Sequence, residues 1–243
     1  MLGSDTYIET VAAAVDEIAA VAAGNLHAPV EHCPGFDVGR LLEHTGGFAR
    51  IVAGRVARDE EWIPRTGNWK KAPADEVAGD PIGWHTRWGA ELVIALRNGR
   101  PDAPVSTWAG QRTRYFWYRR AAQELTVHRW DAMQARGTPC AIDPEVALDG
   151  VDEFLGEFGM RAAERLTGSG ETYQFVVEEL GPTFTVTSEP ERLVLHSPRE
   201  PDVVARGGAA ALLLFLWGRA TPDDLDVSGD RRLLDRWHEL VRI

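Results

Sequence analysis

At Gly168-Ser169-Gly170 the apolar residues of this chain stop recurring every three or four positions and begin to alternate. A helix returns to one face about every 3.6 residues and a strand every second residue, so one pattern cannot serve both. The change predicts two architectures in one chain: helices packed on helices before it, and strands layered with helices after it. The 243 residues suffice for one or two domains at about 150 residues each.

Before the switch, Ile8, Val11, Val15, Ile18 and Val21 keep helical spacing from about Asp5 to Ala23, and Gly24-Asn25 closes the run. Asp37, a good N-cap, opens a second helix whose apolar face carries Leu41, Leu42, Thr45, Phe48, Ile51 and Val52. A polar loop from about Asp59 to Pro81 is longer than a bundle connection needs and is expected to border a site. A third helix is expected from about Ile82 to Leu96. A fourth, free of Pro and Gly, runs from about Gln111 to Arg136 and stops at Gly137-Thr138-Pro139. A fifth helical pattern from Pro144 to about Leu166 reads as a bridge. Beyond the switch, Tyr173, Phe175 and Val177, then Phe184 and Val186, then Leu193 and Leu195 mark half-buried strands. Asp202 to Arg206 is a further strand, Ala209 to Trp217 a buried helix, and Gly229 to Val241 a closing amphipathic helix. The predicted fold is a four-helix bundle over residues 1–140 followed by a small α+β domain over residues 141–243.

Charge and composition remove whole classes of function. Lys and Arg number 26 against 37 Asp and Glu, and the resulting charge of −11 excludes a general nucleic-acid binder. A chain 44% hydrophobic and 26% charged is neither disordered nor a membrane protein. Its longest apolar run, Ala209 to Trp217, falls far short of the roughly 20 residues that span a bilayer. Met1 to Thr6 has no basic or apolar signal region, so a cytoplasmic protein is expected. Cys33 and Cys140 form no CxxC pair and offer neither a disulfide framework nor a zinc ribbon. The negative surface is compatible with a monomer.

Chemistry concentrates on the fourth helix, where Glu124 and His128 stand four residues apart and share a face with Trp117, Ala121 and Ala132. A carboxylate on a small, apolar stripe requires a partner. His44, three residues after Leu41 and four before Phe48, faces the same core from the second helix. Two readings of the spacing stay open: a buried Glu–His hydrogen-bonded pair, and a divalent metal held by His44, Glu124 and His128. Three N/O ligands with open positions suit catalytic Zn(II), and Ni(II) or Fe(II) also accept the set.

Other residues carry plainer expectations. Asp131, three residues after His128, could orient its imidazole, but a solvated surface aspartate is the simpler reading. His85 is expected to be a packed or surface histidine and stands outside the metal set. Arg112, Arg114, Arg119 and Arg120 could attract anionic substrates near the bundle mouth, but a solvated face paired with acids is the simpler reading. Cys33, with no base near it in sequence, reads as an inert small residue. Arg219, after Trp217-Gly218, is a candidate to bind a substrate carboxylate bidentately, or else a helix-terminal arginine. Gly207-Gly208 lacks the GxGxxG context, and no Walker motif or GxSxG occurs.

Three segments together resemble one family. His32-Cys33-Pro34-Gly35-Phe36-Asp37-Val38-Gly39-Arg40-Leu41-Leu42-Glu43-His44-Thr45-Gly46-Gly47 is similar to a Pro-Gly-aromatic stretch ending in Leu-Leu-x-His. That stretch belongs to the mycothiol-dependent maleylpyruvate isomerase family, within the DinB-like superfamily. Glu124 to Ala132 and Leu212 to Arg219 resemble later segments of the same family in the same order. The resemblance implies a DinB-like bundle holding a divalent metal, usually zinc, through the positions of His44, Glu124 and His128. It implies mycothiol, the low-molecular-weight thiol of actinobacteria, as cosubstrate, with a small electrophile as the second substrate. Isomerisation of maleylpyruvate or S-transfer is the implied reaction; a metal-dependent hydrolase and a non-catalytic ligand-binding protein are the alternatives.

Overall fold

The computed structural model describes residues 1–57, 74–77, 79–107, 110–158, 167–190 and 192–240. The chain divides into two compact units, Met1–Ala141 and Ile142–Ile243. In the first, the long helices are α1 (Ser4–Ala22), α2 (Val38–Ala57), α4 (Pro81–Asn98) and α5 (Tyr115–Ala135); α3 (Ala74–Val77) is a single turn. Helices α1 and α2 each pack against both α4 and α5, which gives a four-helix bundle. The α1 residues with helical spacing, Ile8, Val11, Val15, Ile18 and Val21, all lie in the core, together with Leu41 and Leu42 of α2 and Leu92 of α4. Each fully buried Leu or Ile contributes about 1.5–3 kcal/mol of transfer free energy.

Local chemistry sets the helix ends. Asp80 accepts the Gly83 N–H at 2.9 Å and Pro81 occupies the first turn of α4, where a missing N–H costs nothing. At the end of α5, Gly137 at φ 68° lets its N–H reach the Gln134 carbonyl and the Thr138 N–H the Met133 carbonyl. Those two bonds satisfy carbonyls that the last turn would leave bare.

In the first unit, the start of the fourth long helix differs from expectation. Gln111 to Thr113 do not begin a helix; they form β2 (Gly110–Thr113), antiparallel to β1 (Pro104–Thr107), with Val105 opposite Arg112. All three residues are exposed and polar, so no apolar periodicity reported on their state. Most of the polar loop expected from Asp59 to Pro81 lies outside the described residues.

The second unit opens with α6 (Pro144–Glu153), capped by Asp143, whose side chain accepts the N–H groups of Glu145 and Val146. The helix then widens into a π turn over Phe154–Phe158, setting both phenyl rings 5.1 Å from Trp217. The rest of the expected bridge, up to Leu166, lies outside the described residues. A five-stranded sheet follows in the order β5-β4-β3-β6-β7. Its strands are β3 (Thr167–Val177), β4 (Thr183–Pro190), β5 (Arg192–Leu195), β6 (Val203–Gly207) and β7 (Asp226–Gly229). Among the described residues, only the β3–β6 pair is parallel. Tyr173, Phe175 and Val177 are buried in alternation; Phe175 meets Phe215 of α7 (Ala209–Leu216), and Tyr173 and Phe175 both meet Trp237 of α8 (Arg232–Leu240). Strand β7 was not anticipated, and α8 begins at Arg232 rather than Gly229. Asp226-Val227-Ser228-Gly229 has one apolar residue, so its pairing with β6 is a tertiary choice.

Candidate metal centre

The site is assembled by α2, α5 and the segment that leads into α2. In that segment the Phe36 N–H bonds to the Cys33 carbonyl at 2.9 Å, with Pro34 and Gly35 between them and Gly35 at φ 82°. Pro fixes φ at the second position of such a turn, and the third needs positive φ, which glycine adopts without strain. The turn leaves Phe36 with its ring edge to His44, 5.9 Å between centroids. Asp37 then caps α2 by accepting the Arg40 N–H at 2.8 Å.

Nearly two turns into α2, His44 directs Nε2 to Glu124 Oε1 at 3.0 Å. Four residues along α5, His128 presents Nε2 to the same oxygen at 3.4 Å. The two imidazoles stand edge to face, 4.9 Å between centroids. One donor atom from each of His44, Glu124 and His128 falls within 4.8 Å of the others, so a single ion could be reached by all three. Their side chains keep 17%, 17% and 12% of their surface exposed, which leaves an approach from solvent.

The burial of the groups behind these donors was not anticipated, although the sequence offers Asp131 as a partner that could orient His128. Arg120, read from sequence as part of a solvated face, is 1% exposed and donates from Nη2 to Glu124 Oε2 at 3.1 Å. It lies four residues before Glu124 on the same face, a spacing that could have revealed it. Asp131, read as a surface residue, is also 1% exposed, and its Oδ2 lies 2.9 Å from His128 Nδ1. Cys33, read as inert and without a nearby base, donates its S–H to the same Oδ2 at 3.5 Å. That contact spans 98 positions of sequence and left no signal there. Among the described residues, Cys33, His128 and Asp131 form a second group whose donor atoms lie within 4.8 Å.

Electrostatics follow from this packing. Burial pushes the Glu124 carboxyl up, but hydrogen bonds from His128 and His44 and the charges of His128 and Arg120 outweigh it and hold it well below the usual range. Burial pushes His128 down, but Asp131, Cys33 and Glu124 together hold it well above an ordinary histidine. Both effects describe a charged pair that a cation entering between the two side chains would have to replace.

His85 stands apart, as expected. It is 1% exposed, with Nδ1 2.7 Å from the Thr45 hydroxyl and Nε2 3.1 Å from the Val15 carbonyl, which assigns the proton to Nε2. Burial lowers its pKa to about 4. Arg219 belongs to the second unit, where its Nη1 donates to the Trp217 carbonyl at 2.7 Å.

Two family profiles cover both units: "Mycothiol maleylpyruvate isomerase N-terminal domain" matches residues 9–133 and "MDMPI C-terminal domain" residues 145–236. The chain belongs to the mycothiol maleylpyruvate isomerase family. The fold agrees with that family: the crystal structure of the mycothiol-dependent maleylpyruvate isomerase superimposes with a TM-score of 0.65 at 14% identity, covering 93% of each chain. A histidine-to-alanine mutant of that isomerase gives 0.66, with the same identity and coverage. At that identity the likeness is one of fold. No curated protein matches the chain.

Proposed function

We propose that this member of the maleylpyruvate isomerase family is a mycothiol-dependent enzyme in which His44, Glu124 and His128 hold a divalent cation, Zn(II) by preference. The observation that supports it is the convergence of two imidazoles and one carboxylate within 4.8 Å, on two helices, at a point solvent can reach. A structural zinc site is closed by four protein ligands, whereas three N/O ligands leave positions for a substrate. A divalent ion bound there would supply acidity, since a coordinated thiol loses its proton near neutral pH.

The chain's own residues would do the remaining work. Arg120 holds Oε2 of Glu124 and leaves Oε1 turned to the two histidines. Phe36 packs against one side of the His44 ring, 5.9 Å between centroids, and would help to fix its orientation. In the isomerase reading, the thiolate of mycothiol adds to the activated double bond of maleylpyruvate; its electron pair becomes the new C–S bond, and the π pair of the double bond moves onto the conjugated carbonyl oxygen as an enolate. The former double bond then rotates as a single bond, and expulsion of the thiolate restores the double bond in the trans form. In the transferase reading the sulfur stays on the electrophile: either a displaced group departs with the electron pair of its bond, or the enolate left by addition takes a proton from solvent. We assign Arg219 to the substrate carboxylate, because a guanidinium binds a planar carboxylate through two parallel hydrogen bonds. In Arg219→Lys, KM for a carboxylate substrate should rise with metal content unchanged; an unchanged KM would overturn that assignment.

The test is titration of the cobalt-substituted protein with mycothiol. A thiolate-to-metal charge-transfer band that is absent in His44→Ala supports the proposal. Cobalt binding with no thiol-dependent band would sink direct thiolate activation.

A further inference from the structure

The reading of His44, Glu124 and His128 as ligands leaves a buried carboxylate and a thiol on the far side of one imidazole. Asp131 sits one turn beyond His128 on α5, and its Oδ2 accepts from His128 Nδ1 at 2.9 Å and from the Cys33 thiol at 3.5 Å. The carboxylate is 1% exposed, and removing a charge that size from water is unfavourable unless strong hydrogen bonds replace the lost hydration. His128 is joined at both nitrogens, Nδ1 to Asp131 and Nε2 toward Glu124 Oε1. An imidazole whose Nδ1–H is committed to a carboxylate has only Nε2 left as a ligand atom, with its ring angle set and its basicity raised.

We infer that Asp131 is a positioning residue of the metal centre, acting through His128, and that the Cys33 thiol, carried on the Pro34-Gly35 turn, locks the carboxylate in place. This rests on the proposed metal reading and extends it to two residues that touch neither the ion nor the substrate. Arg120 does not substitute for them, because it holds the opposite carboxylate, Glu124, at Oε2.

The chemistry separates a positioning role from a packing role. Asp131→Asn keeps shape and can still accept from Nδ1–H, but it removes the charge that makes His128 a stronger ligand. Outer carboxylate partners of metal-bound histidines are typically worth about 10–100-fold in affinity. Cys33→Ala removes one donor to Asp131 and leaves its charge, so its effect should be smaller.

The experiment is a competition between the full-length protein and a chromophoric chelator for Zn(II), with the visible spectrum of the cobalt form and the denaturation midpoint of the metal-free protein read in parallel. We expect Asp131→Asn to weaken Zn(II) binding about 10–100-fold and to shift the cobalt ligand-field bands. Cys33→Ala should weaken binding in the same direction by less than tenfold. Normal affinity and an unshifted cobalt spectrum in Asp131→Asn would overturn the inference, whatever happened to the midpoint. If Asp131→Asn fails to fold, Cys33→Ala decides, since normal affinity there removes the lock. A thiolate-to-cobalt band without added thiol, lost in Cys33→Ser, would also overturn it, because Cys33, His128 and Asp131 would then be ligands themselves. Failure of the underlying reading is distinguishable: His44→Ala would then bind metal as tightly as the unmodified protein.

Discussion

At the scale of single residues, burial lowers the pKa of both His85 and His128, but their partners send them in opposite directions. His128 finds carboxylates at both nitrogens and is pushed up; His85 finds a hydroxyl and a carbonyl, neutral partners, and is pushed down to about 4. The consequence for stability has a definite sign. Above pH 6.5, His85 is neutral in the folded and unfolded chain and exerts no pH dependence. Between pH 6.5 and about 4 only the unfolded chain takes up the proton, so stability is lost as pH falls through that window. The full effect is about 3 kcal/mol. In His85→Gln the amide keeps an acceptor for Thr45 and a donor for Val15 but cannot titrate. Urea denaturation at pH 7 and near pH 4 should show the variant losing less stability than the unmodified protein; equal losses would show that His85 charges freely in the fold.

At the scale of elements, the placing of His44 depends on how closely α2 approaches α4. Gly46 marks the contact: a Cβ there would run into Cδ1 and Nε1 of Trp84 and lie 3.1 Å from His85 Cα. Trp84 is itself held by its indole N–H, which donates to the Glu43 carbonyl at 3.2 Å. Alanine in an exposed helix interior gains about 0.5–1 kcal/mol over glycine. Here the added methyl overpacks a filled interface, which costs about 1–3 kcal/mol. Gly46→Ala should therefore lower stability despite its better helix propensity, as read by chemical denaturation at neutral pH. A gain in stability would mean that α2 and α4 separate without cost.

At the scale of the whole molecule, the proposed ligands all belong to the first unit, and among the described residues no helix is long and apolar enough to cross a membrane. Anything that binds only the folded state stabilises it by mass action, about 4 kcal/mol at a thousandfold excess over Kd. Zn(II) added to the metal-free full chain should slow amide hydrogen exchange in α2 and α5 first, while β3, β4 and β6 exchange as before. Equal slowing in the sheet would show that the ion binds elsewhere or couples both units.

The sequence by itself determined the order of the long helices and apolar strands and picked out His44, Glu124 and His128 as residues that would converge. Periodicities of 3.6 and 2 follow directly from backbone geometry, and a Glu-x3-His spacing needs nothing but a helix to bring its side chains together. His44 was legible for the same reason, since its place on the apolar face of α2 aimed it at the bundle core. Short polar strands such as β2 and β7 were not legible, because their state is decided by a partner strand rather than by their own residues. Arg120 and Asp131 carried the right spacing, but spacing does not tell a buried charge from a solvated one; only the packed neighbours decide whether water is present. Cys33 was beyond reach altogether, because its approach to Asp131 across 98 positions exists only once the Pro34-Gly35 turn has folded against α5.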